Sequence, residues 1–315
     1  MSRTPSLEIH VPISPTPAFL LMTHYLVRSL RARGGGYRDA RVILSIGDDR
    51  RNALLQLEHP WLDACDVEVR WIAQDRFARH SWFATACERF LYPYSSDVVM
   101  MLDADTLIAG AIDELVHTAH ESRALCGVIA HVPPFSLDHW RRLYATCGLG
   151  ELTTPCEHTG WGYMFNDASL RFCPPYFNLG VLAAPAGVMR SIGEELYALM
   201  ETVAAMDGTY YRLQVAISLA LKGLALPFRT MSFRWNFAND PLLEALHASE
   251  LDDVRIVHLM RKHQLSKLDL YRTIADVESM LARTDLRVIN ALAQGIIGEI
   301  HPVVKSEHGE IPLHA

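Results

Sequence analysis

Two aspartates that stand two positions apart are the residues of this sequence whose type and spacing most directly predict chemistry. Asp103 and Asp105 follow five consecutive apolar residues at positions 98–102. Such a run is typical of a buried parallel strand, and ligands of open α/β sheets bind beyond the carboxyl ends of their strands. Because side chains at positions i and i+2 of an extended segment share a face, the pair predicts a site for a divalent cation.

The elements that must hold this pair alternate between strand and helix over the first hundred residues. Apolar runs predict strands, and apolar positions three or four residues apart predict helices. The order of these segments favours a doubly wound, mainly parallel α/β sheet flanked by helices. The predicted strands are 7–13, 41–46, 67–72 and 98–102, and the predicted helices are 19–33 and 81–94.

The pattern loosens after the acidic pair. Residues 133–175 are rich in glycine and proline and predict a loop-rich acceptor region. We expect a domain over residues 1–267, with a nucleotide-binding half at about 1–110 and an acceptor half at about 111–267, followed by a C-terminal helical extension and tail at 268–315. A homo-oligomer, where one forms, is expected to use the C-terminal helices. Further strands are predicted at 125–131, 176–183 and 254–259, and helices at 189–205, 214–221 and 268–297.

Aromatic residues are frequent in the predicted acceptor region. Trp140, Tyr144, Trp161, Tyr163 and Phe165 all lie there. Aromatic faces pack against sugar rings, so these residues are candidates for acceptor binding. They would serve equally well as the core of a loop-rich subdomain.

The overall composition excludes several classes of protein. The 315 residues, 50% of them hydrophobic, are enough for a full core, and a formal net charge of -7 argues against a general nucleic-acid or anionic-membrane surface. No segment approaches the roughly 18 apolar residues of a membrane span, and Pro5 and Glu8 interrupt the region where a secretory signal needs an apolar run. The six cysteines form no Cys-x-x-Cys pair, which indicates free thiols. We therefore expect a soluble cytoplasmic protein.

Two enzyme classes place an Asp-x-Asp pair after an apolar strand. Haloacid-dehalogenase-like phosphatases have a signature that Asp103-Ala-Asp-Thr106 matches. In them the first acid is the nucleophile and the second is the general acid and base. In nucleotide-sugar glycosyltransferases of the GT-A type, both acids instead hold a divalent cation against the diphosphate of the donor.

The position of the pair favours the glycosyltransferase class. The phosphatase motif normally lies on the first strand of its domain and needs a later lysine and a strand-end acidic pair. Here about a hundred residues precede the motif, and no lysine occurs before Lys222. Asp252 and Asp253 precede a predicted strand instead of following one. The residues before the motif are enough for the nucleotide-binding half of a glycosyltransferase.

Several motifs, in the same order along the chain, resemble those of the family-8 glycosyltransferases, the group that includes glycogenin and bacterial lipopolysaccharide galactosyltransferases. The acidic pair is similar to the metal motif of that family, and Arg89 resembles its basic residue near the donor sugar. Tyr176-Phe-Asn-Leu-Gly-Val-Leu182 is similar to its Phe-Asn-small-Gly-Val strand. Segment 214–221 resembles its Asp-Gln helix start, and Ile256-Val-His258 resembles its strand-end histidine. The resemblance covers roughly residues 7–267 and implies a GT-A fold.

The resemblance implies transfer of a sugar from a nucleotide-diphosphate sugar, expected to be a UDP-sugar, to an acceptor that the sequence does not identify. It implies retention of the anomeric configuration, with Gln214 below the sugar and Asp105 as the second catalytic residue. Mn²⁺ (or Mg²⁺) would be held by Asp103, Asp105 and His258. Carboxylate oxygens suit both cations, and one imidazole favours manganese. Taken alone, His258 would more simply be a satisfied core histidine.

A further set of residues is predicted to contact the donor. Ile13 and Phe19 flank the first strand–helix turn, where the family holds the nucleotide base, although an aromatic residue at a helix start is also a common core residue. The amide of Asn178 suits sugar hydroxyls, and Gly180 permits close approach of the backbone. The predicted donor set is Ile13, Phe19, Arg89, Asp103, Ala104, Asn178, Gly180, Gln214 and Lys262, the last as a contact to the diphosphate.

Two departures from the family pattern bear on the chemistry. Leu213-Gln214 stands where the family has Asp-Gln, and neither the usual glycine nor Lys-Pro-Trp follows His258. Leu213 leaves open a catalytically silent nucleotide-sugar-binding protein. If the transfer inverts the anomeric configuration instead, a base is expected between residues 133 and 175. The candidate bases are Asp138, Glu151, Glu157 and Asp167.

Overall fold

The computed structural model describes residues 3–47, 59–130, 134–152, 156–157, 172–260 and 264–308, with the backbone alone at 156–157 and 172–173. The strands are β1 (Leu7–Ile13), β2 (Arg41–Ile46), β3 (Val67–Trp71), β4 (Val98–Leu102), β5 (Thr106–Ile108), β6 (Leu125–Ile129), β7 (Cys156–Glu157), β8 (Phe172–Cys173), β9 (Phe177–Pro185), β10 (Phe228–Thr230), β11 (Phe237–Ala238) and β12 (Ile256–His258). The helices are α1 (Pro17–Arg33), α2 (Trp61–Ala64), α3 (Gln74–His80), α4 (Trp82–Glu88), α5 (Asp113–Ser122), α6 (Leu137–Thr146), α7 (Ala186–Met206), α8 (Arg212–Gly223), α9 (Pro241–Leu246), α10 (Lys267–Leu270), α11 (Ile274–Leu281) and α12 (Val288–His308).

A seven-stranded sheet in the order β10-β6-β9-β4-β1-β2-β3 forms the centre of the molecule. Neighbouring strands are parallel, except that β9 runs antiparallel to both β4 and β6. All five side chains of β4 are buried, as expected for a strand that is covered on both faces. The predicted mainly parallel α/β sheet flanked by helices is confirmed.

A second sheet has three strands in the order β11-β12-β5. Its strand β5 follows the acidic pair directly along the chain. Strand β12 is antiparallel to β5 and parallel to β11. In this register His258 stands opposite both Thr106 and Ala238. The small sheet therefore brings the C-terminal part of the chain to the end of β4.

Helix α1 begins two residues before the predicted start at residue 19. Thr16 caps it, because the Thr16 hydroxyl accepts a hydrogen bond from the backbone N–H of Phe19 at 3.4 Å. Pro17 fits the first helical position because that N–H has no partner within the helix. The cap fixes the turn that joins β1 to α1.

The helix predicted over residues 81–94 is observed as the shorter α4, so its predicted start is confirmed to within one residue and its predicted end is wrong. Two short helices, α3 and α4, meet at Ser81, whose φ of 56° lies in the left-handed region and interrupts the helical backbone. Helix α4 ends at Glu88, and the chain then turns back on itself, where the Tyr94 hydroxyl donates to the carbonyl oxygen of Arg89 at 2.7 Å. This turn buries Arg89 beneath the end of β4.

Aromatic residues of the predicted acceptor region lie in a hydrophobic cluster. Trp140 and Tyr144 of α6 pack with Phe135 and Tyr176, so for these two the core interpretation applies. Trp161, Tyr163, Phe165 and Asp167 lie outside the described residues.

The C-terminal helices continue the main core of the sheet. Val277 of α11 and Ile289 and Ile296 of α12 are fully buried in the same cluster as the strands, and α12 packs along α1. The domain boundary at residue 267 stays a prediction. Among the described helices, none combines the length and apolar character needed to cross a bilayer.

Candidate active site

The two aspartates lie in a tight turn between β4 and β5. The backbone N–H of Thr106 donates to the carbonyl oxygen of Asp103 at 3.2 Å, and the Thr106 hydroxyl donates to the same oxygen at 2.8 Å. Extended geometry therefore does not persist through both acids. The turn brings the carboxylates together, with Asp105 buried and Asp103 partly exposed.

His258 joins this pair because β12 pairs with β5. The backbone N–H of Leu259 donates to the carbonyl oxygen of Asp105 at 2.8 Å, which sets the register at the end of the small sheet. Nε2 of His258 lies 3.4 Å from Oδ2 of Asp105. One ligand atom each of Asp103, Asp105 and His258 lies within 4.8 Å of the other two. The three residues predicted to hold a cation thus form one cluster.

A chain of hydrogen bonds determines the orientation of the His258 imidazole. The backbone N–H of Gly180 donates to Oδ1 of Asn178 at 2.8 Å, so this side-chain oxygen is an acceptor. Nδ2 of Asn236 then donates to the same oxygen at 3.0 Å, which directs Oδ1 of Asn236 towards His258. Nδ1 of His258 lies 3.0 Å from that oxygen and must donate to it. Nε2 is therefore the nitrogen that faces Asp105.

Gly180 is required by the close approach of the same imidazole. A Cβ atom at this position would lie 2.4 Å from Nδ1 of His258 and 2.9 Å from Oδ1 of Asn178. The carbonyl oxygen of Gly180 also accepts a hydrogen bond from the backbone N–H of Asp103 at 3.1 Å. Gly180 on β9 therefore contacts both His258 and Asp103.

Arg89 lies beneath Asp103 and is only 1% exposed. Its Nη1 donates to the carbonyl oxygen of Leu102 at 3.2 Å and lies 3.6 Å from Oδ1 of Asp103. Burial lowers the pKa of the guanidinium, and the nearby Asp103 carboxylate partly offsets this effect. The structure thus places Arg89 against Asp103. A direct contact of Arg89 with the donor sugar stays a prediction.

Asp105 has two basic neighbours. Nζ of Lys267, the first residue of α10, contacts Oδ2 of Asp105. Nε2 of His258 approaches the same oxygen. Burial of Asp105 would raise its pKa, but His258 and Lys267 together hold that pKa below the usual range. Asp105 is therefore a carboxylate at neutral pH and a poor general acid.

Gln214 lies on α8 beside the start of β9. Its Nε2 donates to the carbonyl oxygen of Phe177 at 2.9 Å, and its Oε1 accepts from the Tyr176 hydroxyl at 3.2 Å. Gln214 therefore contacts Phe177, the residue that precedes Asn178. Leu213 is 3% exposed and belongs to the main core, which explains why an apolar residue is accepted there. The catalytic role of Gln214 stays a prediction.

The remaining predicted donor residues are placed less directly. Ile13, the last residue of β1, stands opposite Ile46 of β2 and is buried. Ala104, between the two aspartates, is buried, and Phe19 packs partly buried against the core. Both Ile13 and Phe19 fit the core alternative as well as base binding. Lys262 lies outside the described residues.

Two residues at the centre of this cluster were not predicted from the sequence. Asn236 precedes the two-residue strand β11, and Lys267 begins the four-residue helix α10. Neither has a spacing pattern that links it to the acidic pair. For Asn236, the only signal is its place in an aromatic segment, Phe233-Arg-Trp-Asn-Phe237, which is typical of a buried turn.

Exposed aromatic side chains lie at the start of α4 and before α8. Trp82 and Tyr210 are 43% and 66% exposed, and their ring centroids are 5.2 Å apart. Tyr211 lies next to Tyr210, and Arg212 at the start of α8 stacks over Phe83 at 3.6 Å. This aromatic patch, Trp82, Tyr210 and Tyr211, precedes the helix that carries Gln214.

No family model and no curated protein matches this sequence. Solved structures match it over almost its whole length. The galactosyltransferase LgtC, solved with donor and acceptor sugar analogues, has a TM-score of 0.52 at 17% identity and covers 94% of this chain and 95% of its own. An active-site mutant of LgtC with glutamate in place of a glutamine has a TM-score of 0.51 at 16% identity, covering 91% and 95%.

A third match is the bifunctional glycosyltransferase WbbM in its apo form. It has a TM-score of 0.52 at 10% identity, and the match covers 98% of this chain and 52% of WbbM. At these identities the likeness concerns the arrangement of strands and helices. The chain therefore has a GT-A fold and resembles, in that fold, the family-8 glycosyltransferase LgtC.

Proposed function

We propose that the protein is a metal-dependent glycosyltransferase that moves a sugar from a nucleoside-diphosphate sugar to an acceptor. The fold supports this class, since its structural neighbours are glycosyltransferases. The cation site of Asp103, Asp105 and His258 supports the metal dependence. A phosphatase mechanism is disfavoured, because it needs Asp105 as a general acid and the Asp105 pKa is held below its usual range.

One observation carries the proposal: the hydrogen bond from Nδ1 of His258 to Asn236 at 3.0 Å. Metal-ligating histidines usually donate their second N–H to a fixed acceptor, which orients the ring and selects the tautomer. His258 held in this way directs Nε2 at Asp105, 3.4 Å away. A histidine that served the core alone would not need a buried amide to direct one nitrogen at a carboxylate pair.

The donor set of the cluster suits a hard divalent cation. Two carboxylates and one imidazole match Mn²⁺, with Mg²⁺ as the alternative. Such a cation would supply Lewis-acid neutralisation of the departing nucleoside diphosphate. Arg89 holds the carboxylate of Asp103 in position, and Lys267 adds positive charge beside Asp105 that a diphosphate would meet on binding.

The proposal extends to the donor, the stereochemistry, the acceptor and the compartment. We expect a UDP-sugar as donor and retention of configuration, with Gln214 held beside β9 by its contacts with Phe177 and Tyr176. The aromatic patch supplies exposed rings for a sugar acceptor. The four cysteines described with free thiols suit a reducing compartment, and we expect the cytoplasm.

Calorimetry tests the metal site. UDP is titrated into the protein with and without Mn²⁺, using wild type, Asp105→Asn, His258→Ala and, as a control, His120→Ala, which removes an exposed histidine of α5. We expect Mn²⁺-dependent UDP binding in wild type and His120→Ala and at least a tenfold loss in the other two. Circular dichroism confirms that each variant is folded. Unchanged affinity in Asp105→Asn and His258→Ala would contradict the proposal.

The catalytically silent alternative predicts a different result. A binding protein with the same site would bind UDP and Mn²⁺ but would not cleave the donor. We expect wild type to hydrolyse a nucleotide sugar slowly in the absence of acceptor, with loss of this activity in Asp105→Asn. Tight binding without any hydrolysis, over a panel of nucleotide sugars, would favour the silent binding protein.

A further inference from the structure

A second group of metal-ligating side chains lies away from the candidate active site. His24 is in the middle of α1, Cys65 follows α2, and Glu307 is in the last turn of α12. One ligand atom of each lies within 4.8 Å of the other two. A tetrahedral zinc site has ligand atoms about 3.3–3.8 Å apart, so the three are close to coordination distance without movement of the helices.

The imidazole of His24 has only part of its hydrogen-bonding capacity satisfied. The His24 side chain is fully buried and stacks on Trp61 with ring centroids 4.3 Å apart. Its Nε2 lies 2.9 Å from Oε2 of Glu307, but its Nδ1 is buried and has no hydrogen-bond partner among the described residues. Buried polar atoms in proteins normally have a partner. A ring with a metal ion on one nitrogen and a hydrogen bond on the other uses both.

A second histidine, His308, lies near His24, outside the group of three ligand atoms within 4.8 Å of one another. Nδ1 of His308, the residue after Glu307, is also buried without a hydrogen-bond partner among the described residues. Burial, followed by the charges of Arg28, His308 and His59, lowers the pKa of His24 to about 3. Two incompletely bonded imidazoles beside a thiol and a carboxylate form a built site.

We propose that His24, Cys65 and Glu307, with His308 as the fourth ligand after a shift of its side chain, form a structural zinc site that ties the end of α12 to α1 and to the segment before β3. A thiolate and two imidazoles prefer zinc, whereas manganese and magnesium prefer sites rich in oxygen. The chain would then hold two cation sites of different selectivity. The site needs no residue of the candidate active site and does not depend on the proposed function.

The charge balance of the cluster is compatible with a dication. The Cys65 thiolate and the Glu307 carboxylate supply two negative charges. Arg28 contacts both oxygens of Glu307, yet a carboxylate has about four lone-pair positions and can accept from Arg28 while it binds a metal. Burial raises the pKa of the Cys65 thiol, so metal binding must release its proton.

Cobalt substitution tests the site directly. The full-length protein is stripped with a chelator, loaded with Co²⁺ and examined for the near-ultraviolet charge-transfer band that only a thiolate ligand gives. We expect the band in wild type, in Asp105→Asn, which disables the candidate active site, and in Cys126→Ser, which removes another buried cysteine. We expect no band in Cys65→Ser. We also expect at least tenfold weaker Zn²⁺ binding in His24→Ala.

Two results would overturn the proposal. One is the absence of a thiolate band in Co²⁺-loaded wild type, which decides the question even if Cys65→Ser does not fold. The other is a band that persists in Cys65→Ser. Elemental analysis of the purified wild type gives an independent measure, with one zinc per chain expected and retained when Mn²⁺ is removed.

Discussion

Asn236 accepts a hydrogen bond from Nδ1 of His258 at 3.0 Å, and this contact decides which imidazole nitrogen faces Asp105. The amide of Asn236 is itself oriented by Asn178, which is oriented by the backbone of Gly180. Three residues, Asn236, Asn178 and Gly180, therefore determine the tautomer of the His258 imidazole. We therefore expect substitutions of Asn236 and Gly180, which are not candidate ligands, to change metal binding.

Substitution of Asn236 tests the effect of that hydrogen bond. In Asn236→Leu the Nδ1–H of His258 loses its acceptor, and we expect Mn²⁺ affinity to fall about 10–100-fold, the usual effect of losing such a partner. Asn236→Asp keeps an acceptor for His258 but loses the N–H that Asn178 accepts, so we expect a smaller loss of Mn²⁺ affinity than in Asn236→Leu. Titration with Mn²⁺ followed by electron paramagnetic resonance gives both affinities. Equal losses in the two variants would mean that Asn236 acts through packing alone.

Gly180→Ala should damage the cluster through steric contact. The new Cβ would lie 2.4 Å from Nδ1 of His258, so the ring must move. We expect a loss of about 1–3 kcal/mol in the free energy of unfolding and at least a tenfold loss in Mn²⁺-dependent UDP affinity. Gly187→Ala is the control, because no atom lies within 4 Å of a Cβ there and the position is helical. Urea unfolding and calorimetry measure the two effects.

Lys267→Met should separate metal binding from donor binding. Lys267 and a cation use the same oxygen of Asp105, so removal of the lysine charge should strengthen Mn²⁺ binding to the free protein, by up to roughly tenfold or about 1.4 kcal/mol. UDP affinity at saturating Mn²⁺ should fall, because the diphosphate loses a positive neighbour. Lys305→Met, which removes an exposed lysine paired with Glu278, should change neither. A parallel loss of both affinities would refute this model.

The buried pair of Glu8 and His10 predicts a pH dependence of stability. Burial lowers the pKa of His10 below 6.5, so the folded chain binds its proton less well than the unfolded chain. The free energy of unfolding should therefore decrease as the pH falls below about 6.5, by at most about 1.4 kcal/mol per pH unit from this residue. His10→Gln should flatten that slope, whereas His120→Gln, at an exposed position, should not. Urea unfolding at pH 5.5 and 7.5 measures the difference.

The aromatic patch should affect the acceptor and not the donor. In Tyr210→Ala we expect unchanged UDP and Mn²⁺ affinity and unchanged slow donor hydrolysis, but weaker transfer to sugar acceptors from a screened panel. Phe228→Ala is the control, since Phe228 of β10 is similarly exposed but lies at the far edge of the sheet. If donor hydrolysis falls in Tyr210→Ala, the patch contributes to the donor site instead.

The sequence predicted the residues whose side chains could hold a cation. Asp103, Asp105 and His258 were predicted as a set, and the structure brings them together. The apolar run before Asp103 predicted β4 with its bounds, because a fully buried parallel strand leaves a continuous pattern.

The residues that position the ligands could not be predicted in the same way. Asn236 acts on His258 from 22 residues away in the chain, and Lys267 acts on Asp105 from 162 residues away. Such contacts depend on tertiary pairing and leave no local periodicity. The helix predicted over residues 81–94 ends early, at Glu88, because the chain then turns back to form the Tyr94–Arg89 hydrogen bond, which composition alone does not reveal.

The small sheet of β5, β12 and β11 also sets the order in which the site can form. The acidic pair is complete once residue 105 has left the ribosome, but its histidine belongs to a strand about 150 residues later. A nascent chain therefore carries the two carboxylates through most of its synthesis without the third side chain of the candidate cation site. A fragment that stops before β12 would lack the histidine of that site. The candidate cation site is thus completed late, when β12 pairs with β5.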